Sequence, residues 1–182
     1  MARPGVRQAE ALMKRFGLAP ADLLGMRFAI NVALGTAIVW ATLRALHANN
    51  PIWAIASMIA ASEPQPEQAR RMFTARLVNV AVGSVAGFLF LFAAGPHDWI
   101  LPLALAATVL VSSYVVRVKT MWRQAPITAA IVIASAVSSQ SSAIGVTQGL
   151  HRVAEVVFGC LVGLIVSLVM SRVWLVPVDR SA

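Results

Sequence analysis

Charged residues are scarce in this chain, and acidic residues are the scarcest. Only 12% of the 182 residues are charged, and Asp and Glu number 7 against 15 Lys and Arg. A soluble domain carries about twice that charged fraction. The polar surface is therefore too small to cover a water-facing globule, which excludes an ordinary soluble protein.

The sequence also has few cysteines and few residues in catalytic patterns. The single cysteine, Cys160, lies in an apolar run, which excludes a disulfide framework and a cysteine-based metal site. His47, His97 and His151 lack ligand-like spacing, and we find no nucleophile–base pair, phosphate loop or cofactor fingerprint. No basic run alternates with aromatic residues. The sequence therefore predicts neither an enzyme nor a metal, cofactor or nucleic-acid binder.

Apolar residues dominate instead, at 59% of the chain, and they fall into six runs. These runs are 26–46, 51–63, 73–94, 99–116, 125–141 and 149–175. Crossing a bilayer takes about 20 apolar residues, so the first, third and sixth runs are ample, the fourth is adequate and the others are short. We predict an all-α membrane protein with six transmembrane helices at 26–175, a cytoplasmic amphipathic segment at 1–25 and a cytoplasmic tail at 176–182.

The basic residues are distributed unevenly between the two sides of the membrane. They precede the first run, separate the second from the third and the fourth from the fifth, and follow the sixth. Only Arg44 and Arg152 lie at the opposite ends of their runs. Because cytoplasmic connections carry the excess of Lys and Arg, both termini are predicted to be cytoplasmic.

The two halves of the chain share an internal pattern. The recurring features are Pro51-Ile52 and Pro126-Ile127, Arg76 with Gly83 and Gly87, and Arg152 with Gly159 and Gly163. The third and sixth runs would cross in opposite directions, so the pattern predicts an inverted 3+3 repeat, which is typical of transporters with a site at the repeat interface. Chance recurrence of small residues in Ala- and Gly-rich helices is the alternative. Both glycine pairs are GxxxG motifs, which indicate close helix packing within the chain or between copies.

Arg152 and Glu155 are the leading candidates for a binding or coupling site. They lie three residues apart on one helix, so their side chains can pair. An ionisable pair at the membrane margin indicates a functional site. Arg152 can hold a substrate carboxylate through two hydrogen bonds, and Glu155 can exchange a proton. A purely structural ion pair fits the same spacing.

Two further polar pairs occupy related positions. Arg76 and Asn79 are the counterparts of Arg152 and Glu155 in the first half of the repeat. As an alternative, Arg76 serves as a cytoplasmic anchor under the charge-bias rule. Arg27 and Asn31 form an i,i+4 pair at the start of the first run.

The remaining candidates are an aromatic and an acidic residue that bracket the short second run. Trp53 can stack on a planar ligand, although a tryptophan in the interfacial belt has the same signature. Glu63 ends the run beside Pro64-Gln65-Pro66. It is expected either to line a transport pathway or to belong to a solvated turn. Trp40, deep in the first run, is expected to pack between helices.

These motifs, taken in order, resemble the membrane module of the fusaric acid resistance (FUSC) or aromatic acid exporter family. The features that carry the resemblance are Arg27, Pro51-Ile52-Trp53-Ala54, Glu63-Pro64-Gln65-Pro66, Arg76 with Gly83 and Gly87, and Arg152-Val153-Ala154-Glu155 with Gly159 and Gly163. The resemblance covers roughly residues 25–176. It implies efflux of aromatic carboxylic acids or other small organic anions from the bacterial inner membrane, driven by the proton motive force.

Long members of that family resemble two such modules with cytoplasmic domains, so this chain is expected to form a homodimer or higher homo-oligomer. Two other functions stay open. The resemblance extends to plant organic-anion channels, which would conduct passively. The chain would alternatively be a membrane subunit that stabilises an assembly without transporting anything.

Overall fold

The computed structural model describes residues 20–48, 50–116, 124–139 and 141–173. Its helices are α1 (Pro20–Ala45), α2 (Ile52–Ala61), α3 (Pro66–Ala94), α4 (Ile100–Leu110), α5 (Gln124–Ser139) and α6 (Ser142–Val173), and a π-helical stretch at Val111–Val116 continues α4. Within these ranges no residue is in a strand, so the predicted all-helical fold is confirmed there. Most of the predicted segment 1–25 and all of the tail 176–182 lie outside them, as do Arg117, Lys119 and Arg123.

The helices have the length and the apolar surface of membrane-spanning helices. Three are long and apolar enough to cross a membrane, namely Asp22–Ala45, Pro66–Ala94 and Ala143–Val173. Ile52–Ala61, Ile100–Tyr114 and Gln124–Ser139 are apolar but shorter. Large apolar side chains such as Leu89 and Phe92 are more than half exposed, a surface that soluble monomers rarely present. The chain is therefore an integral membrane protein, and the six crossings stay a prediction.

The two longest helices each begin seven residues before the apolar run that predicted them. α3 begins at Pro66 rather than at residue 73, because proline suits the first helical position and Glu67 favours the first turn. α6 begins at Ser142 rather than at residue 149. At 1.5 Å per residue, the extension places Arg76 about 15 Å inside α3.

α2 and α6 lie side by side and run in the same direction. A Cβ added at Gly159 would meet the backbone of Ala54, and one added at Gly163 would meet the carbonyl oxygen of Met58 at 2.6 Å. Both contacts are one helical turn apart on each helix. The absent side chains thus let the two backbones touch, as small residues do in membrane helices.

α3 and α5 form an equivalent parallel pair. A Cβ at Gly83 would meet the carbonyl oxygen of Ala125, and one at Gly87 would meet that of Ala129 at 3.2 Å. The glycine spacing is the same as on α6. α3 and α6 therefore each hold a short helix against a pair of glycines.

The two pairs meet where α3 and α6 cross in opposite directions. Val80 and Val156 belong to one buried cluster, at 3% and 1% exposure. Farther along α3, Phe88 lies near Gly149, which precedes Val156 on α6. Val80 and Val156 follow Arg76 and Arg152 by four residues each, so they are equivalent positions in the sequence pattern.

The prediction that Trp40 packs between helices is wrong. The buried stripe of α1 contains Val39 and Leu43, which join Ala54 and Met58 in one apolar cluster. Trp40 is rotated about 100° from Val39 around the helix, so it faces outward and is 51% exposed. The guanidinium carbon of Arg44 lies 5.5 Å from its ring centroid, a cation–π contact.

Candidate functional site

Arg152 and Glu155 form an ion pair on α6. The Nη1 of Arg152 lies 2.9 Å from the Oε2 of Glu155, and their side chains are 29% and 14% exposed. The same Nη1 donates to the backbone carbonyl of Asn50, just before α2, at 3.2 Å. The guanidinium therefore links α6 to the start of α2 while part of it stays open to the surroundings.

Two cavities meet at Arg152. The first, of about 530 Å³, lies between α2, α5 and α6. Trp53 lines it, together with apolar side chains of α5 such as Ile127 and Ile131. Its polar groups include Gln148 and Arg152. An apolar wall with a few convergent polar groups is the usual build of a small-molecule site.

The second cavity, of about 750 Å³, lies on the other side of Arg152. His47, His151 and Glu155 line it, and Gln148 borders both cavities. His47 lies in the turn that follows α1, with a positive φ of 55°. The two histidines that line this cavity thus come from the turn after α1 and from α6.

The second arginine candidate lies in the interior of the bundle. Arg76 is 7% exposed, and its Nη2 donates to the hydroxyl of Ser57 on α2 at 3.3 Å. The alternative interpretation of Arg76 as a cytoplasmic anchor stays a prediction. The polar first turns of α3 carry Arg70 and Arg71 at the exposed end of the helix, and Arg76 lies deeper.

Asn79 is fully buried one turn after Arg76. Its Nδ2 donates to the carbonyl of Ala75 at 2.9 Å, and its Oδ1 accepts a hydrogen bond from Ser112 at 3.3 Å. Ser112 belongs to the π-helical stretch that follows α4. A π-helical turn often marks a functional position, because it redirects side chains that a regular helix would space evenly.

Glu63 lies at the far end of α2 from Trp53. α2 ends at Ala61, so Glu63 lies outside the helix, in the connection to α3. Its backbone N–H donates to the hydroxyl of Ser167, which follows Arg152 by about four turns of α6. Partial burial raises the pKa of the Glu63 carboxyl above its ordinary value.

Arg27 and Asn31 share the buried face of α1, at 4% and 0% exposure. In the part of the chain that the structure describes, neither the Oδ1 nor the Nδ2 of Asn31 has a hydrogen-bond partner. The structure therefore places Trp53 and Glu155 in the two cavities that meet at Arg152, and it places Arg27, Asn31 and Glu63 elsewhere. Within the described ranges, no three His, Cys, Asp or Glu side chains converge on one point.

Three polar residues near the arginines were not among the predicted site residues. Gln148 lies four residues before Arg152 on α6, a spacing that the sequence displays. Ser57 and Cys160 have no such signal, because they meet Arg76 only through helix packing. The Sγ of Cys160 donates to the backbone carbonyl of Ser57 at 3.8 Å.

Comparison with known proteins gives one match. The chain matches the family model described as fusaric acid resistance protein-like over residues 34–166, most of its length. The matched stretch includes Trp53, Arg76 and the Arg152–Glu155 pair, but Arg27 and Asn31 precede it. No curated protein and no solved structure matches the chain.

Proposed function

We propose, because this chain belongs to the fusaric acid resistance protein-like family, that it exports small organic anions such as aromatic carboxylates across the bacterial inner membrane with proton coupling. The observation that carries the proposal is the position of Arg152. Its guanidinium is partly exposed between two cavities and already holds a carboxylate, that of Glu155. The outward direction of transport rests on the family.

The cavity beside Trp53 suits the two ends of an aromatic acid. A carboxylate can accept two parallel hydrogen bonds from the guanidinium of Arg152. The ring of the acid then lies against Trp53 and the apolar side chains of α5, where aromatic contacts add about 0.5–1.5 kcal/mol. The amide of Gln148 offers a further donor at the mouth of the site.

Glu155 provides the link to protons. The carboxylates of Glu155 and of the substrate compete for one guanidinium, so protonation of Glu155 frees Arg152 for the substrate. Substrate affinity should therefore rise as the pH falls. The other titratable groups that face this cavity are His47 and His151.

We further propose that the six helices cross the membrane as an inverted 3+3 repeat with both termini cytoplasmic. Two observations support this topology. The parallel pairs α2/α6 and α3/α5 are each held at two glycines, and α3 and α6 cross in opposite directions. Arg152 then lies toward the outer side and Glu63 toward the cytoplasm.

Benzoate flux in liposomes tests the proposal. Purified protein in liposomes should move benzoate, and a pH gradient should change the rate. Arg152→Gln should reduce flux roughly tenfold or more, because a hydrogen bond to a charged group is worth about 1.5–3 kcal/mol. Arg44→Gln is the matched control, since it removes an exposed arginine that stacks on Trp40.

Glu155→Gln tests the proton link separately. The variant should bind benzoate more tightly, because the competing carboxylate is gone, and its flux should no longer respond to the pH gradient. His47→Gln and His151→Gln should keep that response. Flux with no pH response in the wild type would indicate a passive channel, and no benzoate flux at all would refute transport of this class.

A further inference from the structure

Arg76 is a buried cation without a carboxylate partner among the described residues. Among the described residues its Nη2 donates to the Ser57 hydroxyl at 3.3 Å, its side chain also interacts with the thiol of Cys160, and its Nε has no acceptor. Arginine keeps its charge inside proteins. Holding that charge in a membrane interior is costly, and such residues are normally paired or functional.

The equivalent position in the other half of the repeat shows what Arg76 lacks. Arg152 pairs with Glu155, three residues later. The residue three positions after Arg76 is Asn79, whose amide is already engaged by Ala75 and Ser112. One arginine therefore has a carboxylate on its own helix, and the other has none among the residues that the structure describes.

We propose that Arg76 and Ser57 form a second binding site for the transported carboxylate, deeper in the bundle than Arg152. The identity of the ligand rests on the proposed function. The site itself rests on the buried guanidinium, its unused Nε and the neighbouring hydroxyl. Once Ser57 accepts from Arg76, its own hydrogen is free to donate to an anion, so both residues present donors.

The two sites lie in succession along α6. Cys160 contacts Ser57 and follows Arg152 by eight residues, or about 12 Å along the helix. Measured along the axis of α6, the two proposed sites are therefore about 12 Å apart.

Cys160 makes the second site measurable without engineering, because it is the only cysteine in the chain. Its side chain is fully buried in this structure. In liposomes, an anionic methanethiosulfonate should modify Cys160 faster than a cationic one, and saturating benzoate should slow the anionic reaction roughly tenfold or more. Arg76→Gln should abolish both the charge preference and the protection.

Asn79→Asp tests the same site by a gain of charge. The variant gives Arg76 a built-in carboxylate of nearly the same size as the amide it replaces. We expect that benzoate no longer protects Cys160 and that flux falls roughly tenfold. Thr74→Asp, which adds the same charge at an exposed position of α3, should change neither protection nor flux.

The outcomes separate the second site from the proposed function. Benzoate protection of Cys160 in a protein that moves no benzoate would leave the site standing and refute transport. Normal benzoate flux with a Cys160 that never reacts, or that benzoate does not protect, would refute the site and leave transport standing. Equal protection by chloride would assign Arg76 to a resident halide and overturn its role for the carboxylate.

Discussion

Gly159 is where α6 touches the backbone of α2, and replacing it with alanine should destabilise the protein. Three glycine-to-alanine variants form a graded series. The added methyl would meet nothing within 4 Å at Gly25, the flexible thioether of Met58 at 2.6 Å at Gly35, and the backbone of Ala54 at Gly159. A side chain can rotate away from a new methyl group, but a helix backbone can only move as a whole.

The expected magnitudes follow from these contacts. Alanine gains about 1 kcal/mol over glycine in a helix, and this gain alone should operate in Gly25→Ala. Forcing extra volume into a packed interior costs about 1–3 kcal/mol, or more where nothing can yield. Gly35→Ala should therefore be near neutral, and Gly159→Ala should lose about 2 kcal/mol. For a chain of this size, that loss lowers the melting temperature by about 4–8 °C.

Thermal unfolding in detergent, followed by far-ultraviolet circular dichroism, measures the series. The order of melting temperatures should be Gly25→Ala highest, Gly35→Ala intermediate and Gly159→Ala lowest. Gly83→Ala provides an independent repeat of the experiment at the α3/α5 contact, where the methyl would meet the carbonyl of Ala125. A Gly159→Ala protein that melts with Gly25→Ala would mean that the two backbones do not touch there.

Three other predictions concern binding and stability. Trp53→Ala should weaken benzoate binding about three- to tenfold and leave acetate binding unchanged in competition assays, since only the aromatic acid has a ring to stack. Asn31→Leu should raise the melting temperature, because it replaces a fully buried amide without partners by an apolar side chain of similar size, which removes a penalty of about 1–3 kcal/mol; a lower melting temperature would reveal a partner for the amide. His47→Gly should stabilise the end of α1 by about 0.5–1 kcal/mol, because glycine adopts the positive φ without strain, and equal stability of His47→Gly and His47→Ala would contradict that reason.

The sequence predicts the helices of this fold better than their ends. Each of the six apolar runs overlaps one helix of the structure. The beginnings of α3 and α6 escape prediction, because hydropathy registers apolar residues alone. Glu67, Arg70 and Arg71 are good helix formers that continue α3 beyond its apolar part. This difference in length also decides that Arg76 is buried.

For the candidate site, the sequence predicts contacts within one helix but not contacts between helices. The pairing of Arg152 with Glu155 follows from their spacing on one helix, and so does the position of Gln148. Their proximity to Trp53 does not, because packing of α2 on α6 brings together residues that are far apart in the chain. Contacts such as Arg76 with Ser57 depend on which helix faces which, and periodicity within a single helix carries no such information.

The unequal partners of Arg76 and Arg152 bear on how a carboxylate would pass between them. At Arg152, the side chain of Glu155 competes directly for the guanidinium, so a bound carboxylate can be displaced without any helix moving. At Arg76, the nearest side-chain partner is a neutral hydroxyl, which competes poorly with an anion. The two sites should therefore differ in affinity, with Arg76 the tighter and Arg152 the one that releases. Under the proposed topology the releasing site lies toward the outside, and release there requires an ionised Glu155, because the protonated side chain does not compete for Arg152. Glu155→Gln should then make the two affinities more alike and slow release at Arg152.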